Sequence, residues 1–212
     1  IARSPAGSSL SFKGGTALRL FWDLHRYSED LDFVRIGPES PARMLKAFQA
    51  VGNEKGWEVT DAAVKRQTVL CEYRFRWEGP NFHLKVEVSL RPGKSPVEIK
   101  ALRGVPVVVL KEERLAAEKL ISFVDRDVAR DAFDAFFILD KRLKIDFQAL
   151  KKAYGSSNRY FERALEKAEA LRPARLANDI GKLVDAEQRA WLRSSFQADL
   201  VRLLRKARGN VL

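Results

Sequence analysis

Two aspartates separated by one residue, Asp30 and Asp32, are the residues of this chain whose type and spacing best suit chemistry. The apolar run that continues to residue 36 predicts a strand, and residues two apart on a strand project from the same face. Carboxylates on one face can share divalent metal ions such as Mg²⁺ or Mn²⁺, which prefer oxygen ligands. Metal ions held in this way can activate a hydroxyl group and stabilise a leaving pyrophosphate. Because Asp-x-Asp is also common at solvated strand ends, the pair predicts a metal centre only together with its neighbours.

Two adjacent glycines, Gly14 and Gly15, lie between a predicted strand at 10–13 and a predicted helix at 16–25. Glycine lets the backbone come close to a ligand, because it has no side chain in the way. The helix that follows offers unpaired N–H groups and the positive end of its dipole, which suit a triphosphate. The glycine turn, the helix and the two aspartates, in this order, predict a site for a nucleoside triphosphate (NTP).

The elements around these motifs change in character near residue 110. Before that point, period-two alternation predicts two antiparallel strands joined at Gly79-Pro80. The strands predicted in this half are 10–13, 31–36, 57–67, 68–78, 81–90 and 105–110, and its second helix is 38–55. The pattern after it predicts helices at 111–124, 127–140, 146–153, 158–170 and 185–208. We therefore expect an α+β fold, with a mixed-sheet domain over 1–110 and a helical domain over 111–212.

The composition narrows the class of protein. The chain has 212 residues, no apolar run of membrane-spanning length, no signal-peptide pattern and a single cysteine, so we expect a cytoplasmic protein that is not bound to a membrane. Its net charge of +11 favours a polyanionic partner such as RNA, although a merely soluble basic surface has the same composition. The chain begins without a methionine and reaches its first motif at Lys13, so we expect that an N-terminal segment is missing.

Two stretches together resemble a known family. Residues 13–18 read Lys-Gly-Gly-Thr-x-Leu, and residues 26–33 read Arg-Tyr-Ser-x-Asp-x-Asp-Phe. This combination resembles the signature of the AbiEii/AbiGii toxins, which include the MenT toxins and are a branch of the nucleotidyltransferase superfamily. The resemblance implies a nucleotidyltransferase domain over 1–110, which binds metal and NTP, and a helical domain that contributes to the active-site cleft.

The resemblance also implies a function. The chain would be the toxin of a toxin–antitoxin or abortive-infection (phage-defence) pair, with a cognate antitoxin as a partner. Its reaction would be Mg²⁺- or Mn²⁺-dependent transfer of a nucleotide from an NTP to an acceptor, such as the tRNA 3′ end in some members. Nucleotide transfer to a protein, as in AMP-transferring relatives, stays open as an alternative. So does a catalytically silent module that binds nucleotide or RNA.

Several roles at the site are implied by the resemblance. Gly14, Gly15 and Thr16 would bind the nucleotide phosphates. Arg26 and Ser28 would organise the turn or contact the phosphates. Asp30 and Asp32 would be catalytic and would bind the metal. Glu87 is the candidate for a third metal-binding carboxylate, since it lies on the polar face of its predicted strand. An exposed Glu87 that pairs with Lys85 is an equally good interpretation.

A second matching stretch lies on the first two helices of the helical domain. Lys119 would bind the nucleotide and neutralise triphosphate charge. Asp131 would orient Lys119 or take part in proton transfer, and Arg130 and Asp134 are further candidates. Asp131 and Asp134, three apart on a helix, share a face. Salt bridges between the two helices would use the same residues, and that alternative stays open.

Overall fold

The computed structural model of the chain describes residues 1–91, 93 and 95–209. Its strands are β1 (Leu10–Lys13), β2 (Asp30–Arg35), β3 (Glu58–Lys65), β4 (Thr68–Arg76), β5 (Asn81–Ser89), β6 (Val97–Leu102) and β7 (Val105–Leu110). Its helices are α1 (Gly14–Trp22), α2 (Pro41–Lys55), α3 (Glu112–Asp125), α4 (Ala129–Asp140), α5 (Phe147–Tyr154), α6 (Ser157–Glu169), α7 (Pro173–Ile180), α8 (Ala186–Ser194) and α9 (Phe196–Gly209). The predicted α+β fold class is confirmed.

The chain divides into two compact units. The sheet unit consists of Ile1–Asp23 and Tyr27–Lys111. The helical unit consists of Glu112–Leu212 together with three residues of the α1–β2 connection, Leu24–Arg26. Residues 92, 94 and 210–212 of the predicted domain ranges lie outside the described residues. The assignment of three residues from the first half of the chain to the helical unit is a feature that the sequence did not predict.

The sheet unit contains one mixed seven-stranded sheet in the order β3-β4-β5-β2-β1-β7-β6. Strand β2 lies near its middle, antiparallel to β1 and parallel to β5. One face of the sheet is apolar and packs on the two helices of the unit. On this face, the ring of Phe12 contacts Phe21 of α1, and the Tyr73 hydroxyl donates a hydrogen bond to the Phe48 carbonyl of α2. Because this face of the sheet packs on the helices, the polar side chains of β2 lie on the opposite face.

The core of the helical unit is built from apolar faces of its helices. Leu120 of α3, Ile138 of α4 and Leu204 of α9 are fully buried. The buried Tyr160 hydroxyl donates to the Leu120 carbonyl, so α6 is tied to α3 by a side chain as well as by packing. Burial raises the pKa of Tyr160 well above its ordinary value, which keeps this donor protonated.

Most predicted elements are confirmed, and the exceptions have physical causes. The helix predicted at 16–25 ends at Trp22, because Asp23 adopts a left-handed conformation with φ of 65°. The single helix predicted at 185–208 is wrong, since α8 and α9 are separated at Ser195, whose φ and ψ are −121° and −19°. Helix α7 was not predicted from the sequence, although it begins at Pro173 and proline is favoured at the first position of a helix. Strand β6 was missed because it is an edge strand with an exposed apolar residue, Ile99.

Candidate active site

The polar face of the sheet brings together three carboxylates predicted to bind metal. Asp30 and Asp32 are the first and third residues of β2. Register places Asp30 opposite Lys85 and Asp32 opposite Glu87 of the parallel strand β5. Since residues opposite each other in register share a face of the sheet, all four side chains lie on one side. The predicted common face of Asp30 and Asp32 is therefore present, with Glu87 on the neighbouring strand.

The glycine turn contacts the Asp-x-Asp motif. Gly14 has φ of +80°, a conformation that residues with a Cβ rarely adopt. A Cβ at Gly14 would lie 2.8 Å from the Cβ and 2.9 Å from the Cγ of Asp32. The position therefore needs glycine for its backbone conformation and for the space that the Asp32 side chain occupies. The contact places the beginning of α1 against one of the two candidate metal-binding carboxylates.

Thr16 connects the same helix to the first aspartate. Its hydroxyl donates a hydrogen bond to the Asp30 carbonyl oxygen, and the residue is buried. A hydroxyl has one proton to donate, so this bond uses the donor that a phosphate oxygen would need. The bond fixes the start of β2 against the first turn of α1, and the predicted role of Thr16 in phosphate binding stays a prediction.

The first turn of α1 suits an anion in other respects. The turn itself contains no acidic residue, and the side chain of Lys13, the residue before it, makes no capping hydrogen bond. Gly15 is buried there and has no side chain to cover the backbone. The N–H groups of a first turn and the positive end of the helix dipole are attractive to phosphate.

Lys85 is a member of the site that sequence reasoning missed, except as a possible partner of Glu87. Its Nζ lies 3.5 Å from Asp30 Oδ2 and 3.5 Å from Glu87 Oε2. Burial by itself would lower the pKa of the Lys85 ammonium, but the charges of Asp30, Glu87 and Asp32 together raise it above its ordinary value. The sequence contains the alternating residues Lys85-x-Glu87 and Asp30-x-Asp32. Only the pairing of the two strands shows that these side chains are in contact.

The donor set of this face fits Mg²⁺ or Mn²⁺ at the aspartates. Among the described residues, no group of three or more histidine, cysteine, aspartate or glutamate side chains is arranged to hold a metal ion. Asp30 and Asp32 nevertheless supply carboxylate oxygens on one face, which is the ligand chemistry of these ions. Glu87 is in contact with Lys85, as the alternative interpretation has it, and its role as a third ligand stays a prediction.

The helical unit holds a buried ionic cluster around Asp134. The Arg26 guanidinium donates to both carboxylate oxygens of Asp134, from Nε at 2.7 Å and from Nη2 at 2.8 Å. Lys119 Nζ lies 2.8 Å from Asp134 Oδ2. Burial alone would raise the pKa of Asp134, but the charges of Lys119 and Arg26, with their hydrogen bonds, lower it below its ordinary value. Asp134 is thus ionised and shared between two cations.

Asp131 extends this cluster. Arg126 donates to Asp131 Oδ2 from Nη2 at 2.6 Å and from Nε at 3.0 Å. Asp131 Oδ1 is buried and accepts no hydrogen bond from any described residue, and it lies 3.9 Å from Lys119 Nζ. Among the five groups of the cluster, the cations of Arg26, Lys119 and Arg126 outnumber the two carboxylates by one. Sequence reasoning missed Arg126, which precedes α4 in a connection without a recognisable motif.

These positions bear on the alternatives left open by the sequence. The structure pairs Lys119 with Asp131 and Asp134 in salt bridges between α3 and α4. Arg26 is 1% exposed and pairs with Asp134. Ser28 and Arg130 are half-buried. The catalytic or nucleotide-binding roles of all these residues stay predictions.

Comparison with known families shows the family to which the chain belongs. The sequence model of the family described as "Nucleotidyl transferase AbiEii toxin, Type IV TA system" matches residues 1–207. The chain belongs to this AbiEii family. No curated protein sequence matches the chain significantly. Within the described ranges, no helix of this AbiEii protein combines the length and apolar composition that crossing a membrane requires.

Solved structures share the fold. A candidate nucleotidyltransferase from H. pylori has a TM-score of 0.54 at 22% identity, over 94% of this chain and 89% of that one. JHP933 from Helicobacter pylori has a TM-score of 0.54 at 21% identity, over 96% of this chain and 88% of that one. At these identities the similarity shows that the AbiEii chain has a nucleotidyltransferase-like fold.

Proposed function

We propose that this AbiEii protein is a toxin that transfers a nucleotide from an NTP to an RNA acceptor, such as the tRNA 3′ end. The observation that carries the proposal is the contact between Gly14 and Asp32. It joins a helix beginning that suits phosphates to a carboxylate pair that suits a divalent metal ion. A nucleotidyltransferase needs both features in one place, since the phosphate it transfers is the group at which its metal acts.

In the proposed reaction, a hydroxyl oxygen of the acceptor forms a bond to the α-phosphorus of the NTP. The bond from that phosphorus to the oxygen bridging to the β-phosphate breaks, and pyrophosphate leaves with the electron pair. The proton of the hydroxyl passes to a carboxylate of the Asp30–Asp32 pair. When bound by Asp30 and Asp32, Mg²⁺ or Mn²⁺ supplies positive charge that acidifies the hydroxyl and stabilises the leaving oxygen.

The residues of the sheet unit bind and orient the substrate. The N–H groups at Gly14 and Gly15 bind phosphate oxygens, because they lie at the positive end of the α1 dipole. Asp32 keeps one orientation, since the Gly14 contact defines the space available to it. The hydrogen bond from the Thr16 hydroxyl to the Asp30 carbonyl holds the start of β2 against α1.

Lys119 is the proposed phosphate ligand of the helical unit, as the family resemblance implies. Two properties support this role. Its side chain is 12% exposed, so the residue is not fully enclosed. The cluster around it also has one positive charge in excess of its carboxylates, which favours an anionic ligand.

RNA as the acceptor rests on the family and on charge. A chain of net charge +11 attracts a polyanion, because phosphate contacts release condensed counterions. The basic helix α9 contributes less than its composition indicates, since Arg202 and Arg205 are paired with Asp199 and Glu169. The proposed protein partner is the cognate antitoxin of the type IV system that the family description names.

The test is to incubate the protein with each labelled NTP, Mg²⁺, and total RNA or total protein. Label in RNA that disappears in Asp32→Ala is the expected result. Asp61→Ala is the matched control, because Asp61 is an exposed carboxylate on β3 of the same sheet. Label in protein instead would support AMP-type transfer, and no label with either acceptor would support a silent binding module. Growth arrest on expression, relieved by Asp30→Ala, tests toxicity separately.

A further inference from the structure

An aromatic residue and a cationic residue, Tyr27 and Arg19, form a pair near the candidate site. Tyr27, in the connection between α1 and β2, is 62% exposed although its ring is large and mostly apolar. The Arg19 guanidinium lies over this ring, with its carbon 4.3 Å from the ring centroid. A cation over one ring face attracts the ring and restrains its orientation. Tyr27 is thus a restrained aromatic side chain with most of its surface in solvent.

The position of this pair relates it to the proposed phosphate site. Tyr27 precedes Asp30 by three residues, which span at most about 11 Å of extended chain. Arg19 follows Gly14 by five residues of α1, a rise of about 7.5 Å along the helix axis. Both residues belong to the sheet unit, with Gly14, Asp30 and Asp32. The pair therefore lies close in the chain to the residues proposed to hold the phosphates and the metal, with at most about 11 Å between the Cα atoms of Tyr27 and Asp30.

We propose that Tyr27, held by Arg19, is the stacking surface for a nucleobase at this site. The inference rests on the proposed function and deepens it, because it names the residue that contacts the base. Every nucleobase has a π face, so an exposed aromatic ring can bind it by stacking without reading its hydrogen-bonding edge. The restraint by Arg19 lowers the entropic cost of ordering the ring when a base binds. The base belongs either to the NTP or to the RNA acceptor, and both have the same stacking chemistry.

The test compares ligands with and without a base. The equilibrium dissociation constants of each NTP, of inorganic tripolyphosphate and of total tRNA are measured for wild type, Tyr27→Ala and Tyr27→Phe. Tripolyphosphate has the three phosphates of the nucleotide without its sugar and base, so a substitution at a stacking residue leaves its affinity unchanged. Trp77→Ala is the matched control, because Trp77 is also in the sheet unit and is 64% exposed. Arg19→Ala, which removes the restraint, should fall between wild type and Tyr27→Ala.

The two sources of the base give different results. If the base is that of the NTP, Tyr27→Ala weakens NTP binding about tenfold and Tyr27→Phe binds as wild type does. If it belongs to the acceptor, the same variant weakens tRNA binding by a similar factor and leaves NTP binding intact. An effect below twofold on both ligands, an equal effect of Trp77→Ala, or an equal loss of tripolyphosphate binding would overturn the inference.

Failure of the proposed function has a separate signature. Wild type that binds NTP but never transfers it would contradict the reaction, whereas the binding comparison would still decide the role of Tyr27. Wild type that binds neither NTP nor tRNA would overturn both proposals.

Discussion

Arg26 and Asp134 form a two-point hydrogen-bonded ion pair across 108 residues of sequence, and neither side chain is more than 1% exposed. Arg26 follows α1, whereas Asp134 lies on α4. A guanidinium matches a carboxylate in this geometry, and lysine could not reproduce both bonds. Because Lys119 contacts the same carboxylate, Asp134 sets the positions of two cations at once.

Asp134→Asn should lower the free energy of unfolding at pH 7 by about 3–5 kcal/mol, because it removes the counter-charge of the buried Arg26 and one of the two carboxylates near Lys119. Urea denaturation followed by circular dichroism measures this. Asp127→Asn is the control, since Asp127 is 79% exposed in its pair with Arg175, and the change there should stay within about 0.5 kcal/mol. Equal destabilisation by both substitutions would contradict the assignment of Asp134 as the centre of the cluster.

The Arg26–Asp134 pair also predicts how the free energy of unfolding depends on pH. The pKa of Asp134 is lower in the folded protein than its ordinary value of 3.8. Its contribution is therefore complete above pH 3.8 and is lost as the pH falls through the lowered folded pKa. The difference in unfolding free energy between wild type and Asp134→Asn should accordingly be constant near neutrality and shrink only in strong acid. Denaturation series at several pH values test this, and a gap that closes already at pH 6 would contradict it.

Gly14→Ala should reduce nucleotide transfer by about a hundredfold, because the new Cβ must displace the Asp32 carboxylate from its position. Gly56→Ala separates this effect from backbone strain. Gly56 also has a positive φ, +67°, but no atom lies within 4 Å of its added Cβ. Both variants should lose about 1–2 kcal/mol of stability from the left-handed conformation, and only Gly14→Ala should lose transfer. Equal transfer by the two variants would show that the Gly14–Asp32 contact does not matter for function.

Lys85→Met should tighten the binding of Mn²⁺ about fivefold, because the substitution removes an ammonium group that competes for the Asp30 and Glu87 carboxylates. Titration followed by electron paramagnetic resonance counts free Mn²⁺ directly and requires no activity. Lys100→Met is the matched control, since Lys100 pairs with Glu98 on β6 and is 31% exposed, close to the 33% of Lys85. Unchanged or weaker Mn²⁺ binding in Lys85→Met would mean that Lys85 supports the site instead of competing for it.

Lys119→Met should reduce transfer by about a hundredfold if its ammonium binds phosphate charge. It should cost less stability than Asp134→Asn, since Arg26 still neutralises the buried carboxylate. Arg126→Met removes a different cation of the cluster and should change transfer much less, because Arg126 contacts only Asp131 among the two aspartates. Steady-state transfer rates and urea denaturation, measured on the same samples, distinguish the two roles. Loss of transfer in proportion to lost stability would mark Lys119 as structural.

Local signals predicted the part of the site that lies close together in sequence. The glycines, the helix α1 and the Asp-x-Asp strand follow one another within 22 residues, so spacing and periodicity were sufficient. The contact between Lys85 and Asp30 depends on the parallel pairing of β2 with β5, which no local pattern encodes. The Arg26–Asp134 pair was not predicted either. The two residues are 108 positions apart in the sequence, and each had a plausible role that did not involve the other. Strand β6 was missed because of its exposed position at the edge of the sheet, and helix α7 begins at a proline, a residue that elsewhere interrupts helices.

The passage of Leu24–Arg26 through the helical unit has a consequence for protein dissection. A single cut at residue 111 does not yield two self-sufficient halves. The N-terminal fragment would retain Arg26 without its carboxylate, and the C-terminal fragment would retain Asp134 with Lys119 alone. Fragments meant to isolate either half should therefore carry a substitution that removes the charge separated from its partner, such as Arg26→Met in the first and Asp134→Leu in the second.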